Sequence, residues 1–565
     1  MAERGANQVA DMSTVKMKRG TEATAKIALP HQTVAIKEQE PAHGNQATER
    51  EVSASRRKRP GRDAIDSPAK PAHSLRGHRL AQQSYGARLE ALAIAAPNAP
   101  AIICDDGALT RGDFNKSANR LARAYAARGL GFGDRATITL PNCVDFFVAC
   151  LAVWRLGAVP NPVSNRLAAP ERRAIVERAQ PKLIIGADSD DSGVSCIPVG
   201  FEPSADLSDA PLPDQIPPNE RAMASGGSTG LPKLIVASNP AVYDENFASA
   251  VFKAKRAVLV PGPLYHAAPW SSAWQALFAG CMVVSMERFD ARRTLELVEK
   301  HSVDRLVLVP TMMHRIWRLP AEERQAFDVS SLEFVMTGGA PCPAWLMQNW
   351  IDWLGADVMH EAFGPSERIG GTFITGREWL EHPGSVGTPV GGAKIKILDD
   401  DGHEAPAGIM GEIYMMPAGG PGSTYQYVGA QAQTTDDGWE SVGDMGYLDA
   451  DGYLYLGDRR SDMILSAGRN IYPAEIEAVL DAFVGVSSSA IIGLPDDDLG
   501  QAIHAIIECA NDLEPAALRD HVASNLVHYK IPSTFEFVRE RLRDDAGKLR
   551  RAALRKARTE TDNPK

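Results

Sequence analysis

The sequence is poor in cysteine, has no long apolar run, and lacks aromatic residues altogether in its first 75 positions. Seven scattered cysteines with no CxxC pair exclude a disulfide-framed scaffold and a CxxC metal or redox site, and are expected to be reduced, mostly buried thiols. The longest apolar stretch, Phe146 to Trp154, stops at Arg155, far short of the roughly 18 to 20 residues of a membrane-spanning helix. Net positive charge is absent too: 60 Lys and Arg against 71 Asp and Glu give −11, which disfavours a nucleic-acid-coating role. The N-terminus carries Glu3 and Asp11 and no apolar core segment, so neither a secretory signal nor a transit peptide is expected, and the expected location is cytoplasmic.

From Met1 to Leu75 the 13 basic and 9 acidic residues leave +4, so the remainder carries −15. Without Phe, Tyr or Trp this stretch cannot bury enough apolar surface to offset the entropy of ordering, and residues 1–76 are expected to be a disordered extension. The run Arg56-Arg57-Lys58-Arg59 reads as solvated charge, with a targeting patch as the alternative.

Over all 565 residues the composition is that of a globular protein, 44% hydrophobic and 23% charged. Phe114 to Gly129 has helical spacing and Arg135 to Pro141 reads as a buried strand feeding a helix through Phe146 and Leu151. Short aliphatic strands recur at Lys182 to Ile185, Ala257 to Val260, Arg305 to Val309 and Leu332 to Met336, a βα alternation that calls for parallel sheets covered by helices. Between Gly384 and Tyr455 the texture becomes short strands with turn pairs such as Asp401-Gly402, predicting antiparallel β structure. Beyond Arg459, a helix at Pro473 to Leu480 and strands at Ala490 to Ile492 and Ala502 to Glu508 predict a small α+β domain. The fold class is therefore α/β: a large N-terminal domain of doubly wound sheets plus a small antiparallel β subdomain (77–458), a hinge (459–461), a small mobile α+β domain (462–556) and a polar tail (557–565).

One segment carries chemistry openly. Ser225-Gly226-Gly227-Ser228-Thr229-Gly230-Leu231-Pro232-Lys233 combines glycines that let backbone N–H groups wrap an anion with hydroxyl donors and a lysine. Leu231 and Pro232 separate Lys233 from the loop, so this is not the common P-loop. A flexible linker has the same composition and is the competing reading.

The loop resembles the signature of the adenylate-forming superfamily, which includes acyl-CoA synthetases, firefly-type luciferases and adenylation domains of peptide synthetases. Further matches follow in that family's order: Pro263-Leu264-Tyr265-His266, Gly338-Gly339-Ala340-Pro341, Phe363-Gly364-Pro365-Ser366-Glu367, Gly438-Trp439 with Gly443-Asp444, Asp458-Arg459-Arg460-Ser461-Asp462, Gly468-Arg469-Asn470-Ile471-Tyr472-Pro473 and Gly547-Lys548. The resemblance covers about Gly77 to Lys556.

What the resemblance implies is specific. Ser225 to Gly230, Lys233 and Ser366 would hold the phosphates of ATP, and Glu367 with Thr229 would hold Mg2+, a hard cation suited to bridging carboxylate and phosphate oxygens. Gly338, Gly339 and Ala340 would form one wall of the adenine pocket and Glu361, Ala362 and Phe363 the other. Asp444 would accept both ribose hydroxyls beside Arg459. Lys548, Glu367 and His266 are the expected catalytic residues, with Lys548 over the carboxylate and α-phosphate and His266 gating acyl entry. Rotation about Ser461 would exchange Lys548 for Gly468, Arg469 and Asn470 along a coenzyme A channel. The hinge normally carries Asp or Lys where Ser461 stands.

Substrate selection is read from a lack. Pro263 to Met282 contains no Asp or Glu to pair with the ammonium of an amino acid, so an apolar acid is implied. Tyr265, Trp270, Trp274, Ile369 and Gly370, with Gly371, are the expected acyl pocket, and they suggest a bulky or ring-bearing acid, although the aromatics at helical spacing could equally fill the core. The variant motifs resemble the branch containing bile-acid and related bulky-acid CoA ligases. Expected partners are the acid, ATP and coenzyme A, with no nucleic acid and no membrane segment, and a homodimer is an open option. A luciferase-like oxygenase and a stand-alone enzyme loading a carrier protein are the alternatives.

Overall fold

A computed structural model describes residues 82–189, 192–226, 232–245 and 255–559. The expected 1–76 extension and four members of the loop, Gly227, Ser228, Thr229 and Gly230, lie outside the described residues. No helix among the described residues is long and apolar enough to cross a membrane.

Six parallel strands form the centre of the large domain, in the spatial order Met359–Phe363, Phe334–Gly338, Arg305–Leu308, Ala257–Val260, Met282–Ser285 and Pro100–Cys104. Strand side chains alternate between faces. Val258 and Val260 enter one core with Trp154 and Trp270, while Ala257 and Leu259 enter another with Met313 and Trp350. The sheet is thus covered on both sides, as doubly wound topology requires. A second parallel sheet runs Val159–Pro162, Arg135–Ile138, Leu183–Ile185, Ser195–Ile197. A three-stranded antiparallel sheet joins Ala222–Gly226, Pro232–Ala237 and Tyr425–Val428.

The expected antiparallel region follows, from Ser385–Pro389 to Leu454–Arg459, continuous with the central sheet through Thr372–Thr375. The small domain packs the helices Pro473–Asp481 and Pro515–Asn525 on the strands Val486–Asp496, Gly500–Cys509 and Thr534–Val538, with Ile476, Leu480, Ile491, Ile507 and Leu518 in its core. Its strands reach beyond the aliphatic segments expected from sequence, the first by several residues at each end and the second only slightly. Ser488 and Ser489 continue the first of them because they are buried and Ser489 donates to Asp481 at 2.7 Å. The last helix, Arg551–Thr559, runs through the beginning of the expected polar tail; Arg558 holds it by ion-pairing with Glu536 at 2.6 Å.

Candidate active site

In open α/β sheets, ligands bind beyond the carboxyl ends of the parallel strands. Three of the sequence motifs emerge there, with a fourth segment, Val309–Thr311, that the sequence does not mark. Val260 leads to Pro263–His266, Leu308 to Val309–Thr311, Gly338 to Gly339–Pro341, and Phe363 to Gly364–Glu367. The topology therefore gathers motifs that are about a hundred residues apart into one rim.

Asn142, which the sequence reading missed, fixes the first loop. Its amide donates to the carbonyls of Gly262 (2.9 Å) and Met286 (3.1 Å), and its carbonyl accepts from the Leu264 N–H (2.9 Å). His266 then occupies the N-cap position of the helix Ala267–Phe278, without a side-chain capping bond and with its ring 4.7 Å from that of Tyr265. Burial, followed by the nearby Lys548 charge, lowers the His266 pKa to about 3, so the imidazole is neutral at physiological pH.

Gly338 and Ala362 are partners in the parallel ladder. A Cβ at Gly338 would lie 2.3 Å from the Ala362 carbonyl oxygen, so glycine is required by strand approach. The expected two walls, Gly338–Ala340 and Glu361–Phe363, thus lie at the ends of neighbouring parallel strands. Glu361 is buried at 3% exposure, and burial pushes its carboxyl up to about 8.

Ser225 and Lys233 face each other across the antiparallel strands Ala222–Gly226 and Pro232–Ala237. The Lys233 ammonium lies 3.3 Å from Glu367 Oε1 and donates to the Tyr427 hydroxyl at 2.6 Å. Tyr427 in turn donates to the same Glu367 oxygen at 2.5 Å. The turn that carries Glu367 is anchored through its neighbour as well. Arg368, in left-handed backbone (φ 56°), makes a two-point ion pair with buried Glu220 (2.7 and 3.3 Å) and donates to the Ser271 hydroxyl at 3.0 Å. Ser366 stands partly exposed in the same turn.

Asp444 and Arg459 pair across an antiparallel ladder, with Arg459 Nε 3.0 Å from Asp444 Oδ1. Burial raises the Asp444 pKa and Arg459 opposes the shift. Lys548 arrives from the small domain on a tight turn whose Asp544 carboxylate accepts the N–H groups of Ala546 and Lys548, both at 2.9 Å. Gly547 is packed on Val309 and Thr311 of the large domain, Arg166 ion-pairs with Asp545, and Arg550 lies 3.5 Å from Glu171. Crowding by protein and then the Arg459 charge lower the Lys548 pKa, while Glu367 and Asp444 act in the opposite direction.

Other expected residues fall elsewhere. Gly468, Arg469 and Asn470 form an exposed hairpin whose contacts are with the small domain, Arg469 lying over the Tyr529 ring at 4.8 Å. Ser461 is exposed in the turn after the Leu454–Arg459 strand. Trp270 and Trp274 pack against Phe146, Phe147, Trp154 and Phe278, so their rings fill the core that the helical spacing also allowed. Gly370 and Gly371 leave no free space: a Cβ would meet Met415 Sδ at 3.0 Å and the Phe363 carbonyl at 2.8 Å, respectively. Ile369 is fully buried beside Ile413 and Met415.

The AMP-binding enzyme family matches residues 89–427, and the AMP-binding enzyme C-terminal domain matches residues 475–548. The chain is 29% identical over 491 residues to a fatty acid–[acyl-carrier-protein] ligase of Streptomyces coeruleorubidus, covering 81% of this chain and 93% of that one. It is 30% identical over 478 residues to a feruloyl-CoA synthase of an Amycolatopsis species, covering 81% and 96%. The solved structure of o-succinylbenzoate coenzyme A synthetase from Bacillus subtilis in complex with ATP and magnesium ion matches with a TM-score of 0.70 and 26% identity, over 84% of this chain and 99% of that one. Fold and motif order define an adenylate-forming enzyme. The chain belongs to the AMP-binding enzyme family, within the adenylate-forming acyl-CoA synthetases.

Proposed function

We propose that the protein is an ATP-dependent acyl-CoA ligase that activates a hydrophobic, bulky or ring-bearing carboxylic acid. The acid's carboxylate attacks the α-phosphorus of ATP, a P–O bond forms as pyrophosphate leaves, and the thiol of coenzyme A then displaces AMP to give the thioester. The observation that carries this reading is the docking of the small domain's Gly547-Lys548 turn onto Val309 and Thr311, at the rim that also holds Glu367.

Roles follow from charge and position. Negative charge grows on the α-phosphate as the carboxylate attacks, and a cation held there by a stiffened turn stabilises it without reorganisation. Lys548 supplies that charge. Asp444, with a carboxylate able to accept two hydroxyls, orients the ribose and is itself held by Arg459. Lys233, Ser225, Ser366 and the loop hydroxyls Ser228 and Thr229 bind the outgoing phosphates. His266, kept neutral by burial, gates entry of the acid.

Glu367 fits a divalent cation: its carboxylate is a hard oxygen donor at the rim, and among the described residues no hydrogen bond reaches Oε2. Magnesium bound there would neutralise phosphate charge. For the second half-reaction, rotation about 459–461 withdraws Lys548 and brings Gly468, Arg469 and Asn470 to the thiol's path.

The absence of Asp and Glu between Pro263 and Met282 supports an acid without an amino group, and the feruloyl-CoA synthase relative supports a ring-bearing one. The carrier-protein ligase relative supports a second reading, in which a tethered thiol is the acceptor. A panel of aliphatic, aryl and steroidal acids, scored by pyrophosphate and AMP release, tests both. Coenzyme A consumption matched to AMP is the expected result. Adenylate that passes only to a carrier protein would favour the second reading, and oxygen uptake without thioester would contradict both.

A further inference from the structure

Tyr427 stands between the two groups to which the proposed function gives the phosphates and the metal, and no motif marks it. The strand Tyr425–Val428 pairs antiparallel with Pro232–Ala237, placing Tyr427 opposite Ile235. Side chains two apart on a strand share a face, so Lys233 and Ile235 point the same way and Tyr427 is a diagonal neighbour of Lys233. The Lys233 ammonium lies 4.0 Å from the Tyr427 ring centroid and 2.6 Å from its hydroxyl oxygen. A phenol has one proton to donate, and Tyr427 gives it to Glu367 Oε1 at 2.5 Å. That oxygen also has Lys233 at 3.3 Å. Among the described residues Oε2 receives no hydrogen bond. The carboxylate is therefore clamped at one oxygen while the other is left to a ligand.

We propose that Tyr427 is the positioning residue of the metal–phosphate site: its hydroxyl fixes Glu367 Oε1 so that Oε2 faces the divalent cation of metal–ATP. Its ring also holds Lys233 ready for the phosphates. The inference rests on the reading of Glu367 and Lys233 as metal and phosphate ligands. Lys233 exchanges the tyrosine hydroxyl for phosphate oxygens when nucleotide enters, and the Tyr427–Glu367 bond remains. Without the hydroxyl, Glu367 retains only the lysine, and the carboxylate follows that lysine toward the phosphates instead of presenting Oε2. Partners that orient a metal ligand typically matter about 10- to 100-fold in metal affinity.

The test is nucleotide binding by the full chain, measured by isothermal titration calorimetry with ATP in Mg2+, with ATP in EDTA, and as a function of Mg2+. Tyr427→Phe keeps the ring beneath Lys233 and removes only the hydroxyl. Expected is a rise of about tenfold in the Mg2+ concentration at half-maximal ATP binding, with the affinity in EDTA unchanged. Tyr414→Phe, on the strand Gly411–Met416, whose hydroxyl accepts from Gln433 at 3.0 Å, controls for loss of a phenol hydroxyl away from the site and leaves the Mg2+ midpoint where it was. In a Glu367→Gln background the Tyr427→Phe change produces no further shift, because the group it positions no longer carries the charge. An unchanged midpoint in folded Tyr427→Phe overturns the proposal, as does an equal loss of affinity in Mg2+ and in EDTA, which would make Tyr427 a phosphate contact. If the wild-type protein binds ATP with no dependence on Mg2+, the functional reading itself fails and the proposal with it.

Discussion

Gly547 meets Thr311 so closely that a Cβ built on the glycine would lie 2.5 Å from the threonine hydroxyl. The contact joins the turn carrying Lys548 to the helix Pro310–Trp317 at the strand-end rim. Gly547 also has φ 76°, a conformation that costs a residue with a Cβ about 1–2 kcal/mol. Gly547→Ala is therefore expected to slow acid-dependent pyrophosphate release by about tenfold or more, since about 1.4 kcal/mol is a factor of ten. Transfer from a supplied acyl-adenylate to coenzyme A is expected to be spared, because the proposed mechanism runs that step with the turn withdrawn. Thr311→Ala in the same chain relieves the contact and recovers part of the loss. Equal slowing of both steps would make the glycine a folding requirement of the small domain alone.

Glu477 anchors the small domain. It is 4% exposed, accepts the Ile491 N–H at 2.8 Å, and is paired with Arg551 at 2.8 Å and Arg543 at 3.2 Å. Removing one member of a buried ionic group leaves the others uncompensated, at about 3–5 kcal/mol. Glu477→Ala should shift the small domain's denaturant transition by that amount while nucleotide contacts of the large domain persist. A shift below about 1 kcal/mol, the scale of an exposed pair, would show that the arginines find other partners.

Glu361 makes stability depend on pH in a predictable direction. Its folded pKa of about 8 lies above the ordinary 4.5, with burial as the main cause. Above the ordinary value the unfolded chain releases the proton while the folded chain keeps it, so stability falls as pH rises toward 8 and levels once the folded carboxyl ionises. Glu361→Gln removes this cost. The difference in stability between variant and wild type should move in the variant's favour from about pH 5 to pH 8, by an amount on the order of 1 kcal/mol per pH unit at most. A difference independent of pH would mean that Glu361 is ionised in the fold.

The elements most legible in the sequence were those with a continuous local signal. Ala257 to Val260 is a fully buried aliphatic run and appears as the strand Ala257–Val260. The strand Val486–Asp496 was visible only at Ala490 to Ile492, because Ser488, Ser489 and Pro495 hide its ends. Glycine-bearing motifs were legible as positions but not always as reasons. Gly338 is required by the Ala362 carbonyl of the neighbouring strand, and Gly370 by Met415, partners that no local pattern reveals. Tyr427 was missed for the same cause: its partners Glu367 and Lys233 are 60 and 194 positions away. The periodicity of Trp270 and Trp274 could indicate either a pocket or a core, and only the rings packed around them decide for the core.

Lys548 is proposed to serve acid activation and not thioester formation. With the acid that gives most pyrophosphate in the panel, wild type and Lys548→Ala are compared in two assays: acid-dependent ATP–pyrophosphate exchange, and thioester formation from the pre-made acyl-adenylate and coenzyme A. Loss of a charge aimed at the developing α-phosphate should reduce exchange by about 100-fold or more, with thioester formation within a few-fold of wild type. Equal loss in both assays, or retention of exchange by the variant, would contradict the account.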